Sequence, residues 1–142
     1  MLTRIILFGI FGGLCGLGAL IVMALIAKSS GKFFDILNFE YNDSLWGKVD
    51  DWAIRYGYKV KEDHGTSRLY QKGAGFWTAP VMVEVSQNGN QCYVKAYIII
   101  NGLIVKSDMA LTPPGFMCKI PRAKGKTEVN ELMKELGQYT FQ

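Results

Sequence analysis

Val81-Met82-Val83-Glu84-Val85-Ser86-Gln87-Asn88-Gly89-Asn90-Gln91-Cys92-Tyr93-Val94-Lys95-Ala96-Tyr97-Ile98-Ile99-Ile100 is the stretch that decides the fold. Apolar and polar residues alternate on both sides of Asn88-Gly89, the dipeptide preferred in a tight β-hairpin turn. Pairing Gln87 with Asn90 sets Val85 opposite Cys92, Val83 opposite Val94 and Val81 opposite Ala96. One sheet face then carries Val81, Val83, Val85, Cys92, Val94, Ala96, Ile98 and Ile100. A second Asn-Gly at 101–102 turns the chain again. Pairing Ile100 with Leu103 adds Leu103 and Val105 to the same face. Two registers set independently agree on one core face, and that agreement argues for an antiparallel sheet with a single buried side.

Working outward, Phe76 to Ser86 reads as a strand with an edge or bulge at Pro80. Tyr58–Glu62 and Arg68–Lys72 are shorter strands around the turn Asp63-His64-Gly65-Thr66. Before them, residues 43–56 have helical periodicity. Leu45, Trp46, Val49, Trp52, Ala53 and Tyr56 share one face, Asn42, Asp43 and Ser44 are capping residues, and Gly57 is a stop. After Asp108 comes a loop with Pro113-Pro114-Gly115 and the basic stretch 119–126. Thr127 then caps a last helix with Val129, Leu132, Met133 and Leu136 on one side and Gly137 at its end. The expected domain, residues 43–142, is α+β: helix, antiparallel β-meander of 4–5 strands, helix, in two layers.

The N-terminal part is of a different kind. From Ile5 to Ala27 there are 23 residues without a charge, bounded by Arg4 and Lys28. At about 1.5 Å per helical residue this run is long enough to cross a hydrocarbon core of roughly 30 Å. A cleaved signal peptide has an apolar region of about 7–15 residues followed by a small-x-small site. Here the run is longer, and Leu25 stands where the second small residue belongs. The expectation is a short tail (1–4), a single transmembrane helix (5–27), a juxtamembrane linker (28–42) and then the domain. Phe33, Phe34 and Phe39 of the linker are placed to rest at the headgroup level or against the domain. Flanking cations do not orient the anchor, since Arg4 and the terminal amine balance Lys28 and Lys32. The basic stretch 119–126 suits an anionic cytoplasmic leaflet and tilts the expectation toward a cytoplasmic domain.

Within the run, Gly9/Gly13 and Gly12/Gly16 form two overlapping small-xxx-small pairs, a spacing that lets helix backbones approach closely. They are the candidate membrane-helix packing residues. The partners expected are the lipid bilayer together with another membrane protein or a second copy.

Composition narrows the chemistry. The net charge is +4, and the part beyond residue 27 gives up only Arg4, so nucleic acid is a disfavoured partner. The chain has one histidine, His64, and three cysteines, with no C-x-x-C or H-E-x-x-H spacing, so neither a metal nor another cofactor is expected. Cys92 falls at an inward strand position, Cys118 lies near cations, and no nucleophile–base arrangement is legible. Gly73-Ala74-Gly75 after Lys72 lacks the lysine and hydroxyl of a phosphate loop. Two surfaces remain as contact candidates. Lys119, Arg122, Lys124 and Lys126, read as a loop, suit an anionic partner or lipid surface. Met82, Tyr93, Tyr97, Ile99 and Ile104 make the sheet face opposite the core unusually apolar, which fits either a contact surface or cover by another part of the chain. The reading these features favour is a non-enzymatic, single-pass membrane-anchored module that binds a protein. A domain binding anionic ligands or membrane surfaces comes second, and a membrane-bound enzyme third.

Overall fold

A computed structural model describes residues 9, 12–19, 21, 22, 25, 33–73, 79–101, 106–112 and 118–142. Six antiparallel strands and two helices form the domain: β1 (Asp35–Glu40), α1 (Leu45–Tyr56), β2 (Lys59–Asp63), β3 (Ser67–Lys72), β4 (Val81–Asn88), β5 (Gln91–Asn101), β6 (Lys106–Ala110) and α2 (Lys119–Glu135). Strands β2 to β6 form a meander, each pairing with the next. The eleven-residue β5 is long enough to hold two strands end to end. Its first half pairs with β1 (Asp35↔Ala96 to Glu40↔Gln91) and its second half with β6 (Tyr97↔Ala110 to Asn101↔Lys106).

The expected core face is correct, and its register needs correcting. Asn88 pairs with Gln91, so Val85 lies opposite Val94, Val83 opposite Ala96 and Val81 opposite Ile98. The turn residues are Gly89 and Asn90, with positive φ (+61°) at Gly89 and not at Asn90. That is the type II′ pattern, with glycine first, and it prevails over the Asn-Gly type I′ turn. The partner strand slips by two residues, an even number, so every side chain keeps its face. Val81, Val83, Val85, Cys92, Val94, Ala96 and Ile98 are all buried. The second hairpin also differs, because Ile100 pairs with Ser107 and not with Leu103. Leu103, Ile104 and Val105 lie outside the described residues.

Both helices cover this face. Leu45, Val49, Trp52 and Ala53 of α1 meet Val129, Leu132 and Met133 of α2 in one core with the strand residues. Helix α1 ends as expected. Gly57 is left-handed (φ +74°), its N–H bonds to Ile54 O, and the Tyr58 N–H reaches back to Ala53 O at 2.8 Å, which together satisfy the last carbonyls. At the other end Asn42 Oδ1 accepts from the N–H and hydroxyl of Ser44, both at 2.9 Å.

Two elements differ from the sequence reading. Residues 35–40, inside the stretch read as a linker, form β1, with Leu37 and Phe39 packed against the core. Helix α2 begins at Lys119, about two turns before Thr127. Pro121 occupies its first turn, where a missing N–H costs nothing. Thr127 is interior, and its hydroxyl donates to Ala123 O at 3.0 Å instead of capping. Gly125 brings α2 down onto β4, where a Cβ at that position would stand 3.0 Å from Val81 Cγ1.

Residues 9, 12–19, 21, 22 and 25 of the apolar run are helical. Among the described residues no helix is long and apolar enough to cross a membrane. Residues 5–8, 10, 11, 20, 23, 24, 26 and 27 of the expected span lie outside the described residues.

Candidate functional site

The sheet face opposite the helices is built by strand alternation. With Leu37 and Phe39 turned into the core, Ile36 and Asn38 must point to the other side, opposite Lys95 and Tyr93 respectively. Phe34, one residue before β1, continues that alternation. Phe34 is 42 % and Ile36 47 % exposed, while Tyr93, Tyr97 and Ile99 beside them are half-buried. Lys95 sits among them, its Nζ 4.7 Å from the Phe34 ring centre, 5.4 Å from the Tyr97 ring centre and 3.5 Å from Glu84 Oε2. Its charge lies over aromatic faces and beside a carboxylate, and both stabilise the cation. Burial, with smaller contributions from Asp108, Glu84 and Glu62, pushes the Tyr97 hydroxyl above its ordinary range, so it stays a neutral donor at physiological pH. Of the expected face residues, Met82 is fully buried despite lying on this side, and Ile104 is outside the described residues.

The basic stretch does not form one patch. As the start of α2 it winds around the helix. Lys119 and Lys124 are exposed, Lys126 is half-buried and Arg122 is 4 % exposed on the core side. The earlier loop assignment is thereby corrected: Lys119, Arg122 and Lys126 share one side of the helix at i, i+3 and i+7 spacing, Arg122 is buried there, and Lys124 lies on the other side.

The glycines stand differently. Gly9, Gly12, Gly13 and Gly16 are helical and exposed, and no atom lies within 4 Å of a Cβ built on any of them. Gly12 and Gly16, one turn apart, lie on the same side of the helical segment 12–19.

A buried polar cluster escaped the sequence reading. Glu128 of α2 is 5 % exposed. Its Oε1 accepts from Lys72 Nζ, its Oε2 accepts from the Tyr58 hydroxyl at 3.0 Å, and its backbone carbonyl accepts from Trp52 Nε1 at 2.7 Å. Tyr58 stacks on Trp52 with ring centres 4.4 Å apart. Burial, reinforced by the Glu128 charge, drives the Tyr58 hydroxyl well above its ordinary pKa. Both carboxylate oxygens are thus occupied by donors from β3 and from Tyr58, just after the Gly57 cap of α1, and the cluster ties the two helices to the sheet. A cavity of about 240 Å³ opens beside it, lined in part by Lys72, Val81, Lys124 and Gly125. The only sequence clue was position, since Glu128 lies at helical spacing from Gly125 and Leu132 on the apolar side of α2.

The candidate nucleophiles are not assembled. Cys92 is buried and Cys118 half-buried, both are free thiols, and burial raises the pKa of each, opposed at Cys118 by the Arg122 charge. His64 is exposed in the β2–β3 turn, with Nε2 3.8 Å from Glu62 Oε2. Among the described residues no group of three or more His, Cys, Asp or Glu is placed to hold a metal ion. No protein family matches the chain, and no curated protein matches it as a relative.

Proposed function

We propose that the chain is a membrane-anchored, non-enzymatic module that works by packing on another membrane protein or on a second copy. The observation that carries this reading is the uncharged run Ile5–Ala27 together with the helical one-turn spacing of its glycines. A helix in lipid gains nothing from hydrophobic burial against a neighbour, so close backbone approach and van der Waals contact drive association, and glycines one turn apart permit both. The domain then has a role as a small rigid body carried by the anchor. Its surfaces offer partners aromatic and lysine side chains.

The test is crosslinking of the full chain in cells, followed by sizing after detergent extraction. The reading expects a captured partner or a second copy, and loss of that species when Gly12→Ile and Gly16→Ile keep the backbones apart. A chain that extracts as a lone monomer and captures nothing removes the reading.

A further inference from the structure

The sheet face and the apolar run are close in sequence, and that distance constrains where the face can be. Phe34 is the seventh residue after Ala27. A fully extended chain spans at most about 3.6 Å per residue, so Phe34 lies within roughly 25 Å of the end of the run. Phe34 belongs to the face that carries Ile36, Tyr93, Lys95 and Tyr97. Its chemistry is that of a membrane interface: exposed aromatic and aliphatic carbon, tyrosine hydroxyls, and a lysine whose ammonium lies over the Phe34 and Tyr97 rings beside Glu84. Lys106, exposed at the end of β6, adds a second cation on the same side.

From this we propose that the face formed by Phe34, Ile36, Tyr93, Lys95 and Tyr97 docks on the lipid surface of the bilayer that holds the N-terminal helix. This rests on the membrane-anchored reading. A short tether keeps the face at high effective concentration against the headgroups, so a patch too small to recruit a free protein is sufficient to orient a tethered one. The bilayer accounts for the exposed Phe34 and Ile36 together with the half-buried lysine among them, whereas the centre of a protein interface is depleted of lysine. Docking places α1, α2 and the Lys72–Glu128 cavity on the water side.

The experiment uses the full chain reconstituted in vesicles of phosphatidylcholine and phosphatidylserine containing a phospholipid with a photoactivated diazirine near its headgroup. Labelled peptides are then mapped by mass spectrometry. Docking predicts label on the run 5–27 and on the β5 peptide holding residues 93–97, with none on the α1 peptide holding Ile54, which is 79 % exposed on the other layer. The β5 peptide is decisive, because residues 33 and 34 lie near the anchor on any account. Ile36→Glu, a change at an exposed site, lowers β5 labelling about tenfold, the weight of one buried isoleucine side chain, and leaves 5–27 labelled. Label on 5–27 with β5 as clean as α1 overturns docking and leaves the anchor standing. A run 5–27 without label overturns both.

Discussion

At the scale of single residues, Glu128 is the most consequential side chain in the domain. It is held by an ammonium from β3 and the phenol of Tyr58 just after the Gly57 cap of α1, in a place where water reaches little of it. Removing one member of such a buried pair leaves the other charge poorly solvated, while replacing both with apolar groups of similar size is far milder. Glu128→Ala therefore costs about 3 kcal/mol in urea unfolding, and the double change Lys72→Met with Glu128→Leu costs clearly less. A second prediction follows from Tyr70, which is fully buried with its hydroxyl donating to Asp50 Oδ1 at 2.9 Å. Burial, opposed by the Arg68 hydrogen bond and reinforced by Asp50, pushes this hydroxyl from its ordinary 10.0 up to about 12. The folded state thus keeps the proton more tightly than the unfolded one. The associated stability is complete below pH 10 and is lost as pH rises through about 12. Urea unfolding between pH 9 and 12 shows a falling stability, and Tyr70→Phe flattens that slope.

Elements were legible where periodicity and turn chemistry agreed. The alternation around Asn88-Gly89 identified the core face correctly although the turn itself sits one residue later, because an even slip preserves every inward side chain. Helix α1 and its Gly57 stop could be read from spacing alone. Strand β1 was harder, because its alternation of Leu37 and Phe39 with Asn38 and Glu40 is short and lies in the stretch between the apolar run and α1. What holds it is long-range. Asp35, 2 % exposed, accepts hydrogen bonds from the backbone N–H groups of Leu111 (2.7 Å) and Thr112 (2.9 Å), seventy-odd residues away. No local pattern announces such a partner. The start of α2 was concealed by Pro121 and by Thr127, a good capping residue that in fact sits mid-helix. The helix start has a direct test. If Thr127 were the cap, Thr127→Ala would cost about 1 kcal/mol. With its hydroxyl bonded back to Ala123, the same change is neutral or stabilising by up to about 0.5 kcal/mol in thermal unfolding.

At the scale of the whole molecule, the candidate site was legible in kind and not in detail. Tyr93, Tyr97 and Ile99 do lie on the face away from the helices, joined there by Phe34 and Ile36 through β1, which the linker reading had left off the sheet. The four cations of 119–126 looked like a patch because a solvated loop was assumed. On the helix Lys124 lies on the side away from the other three, and Arg122 is buried. Both lessons move the contact surface from the basic segment to the sheet, on the side reached directly from the apolar run. The central claim is that this run anchors the chain in a bilayer. Its most direct test is flotation of membranes from cells expressing the full chain, after washing with alkaline carbonate. The account predicts that the chain stays with the floating membranes through the wash; quantitative release into the soluble fraction would contradict it.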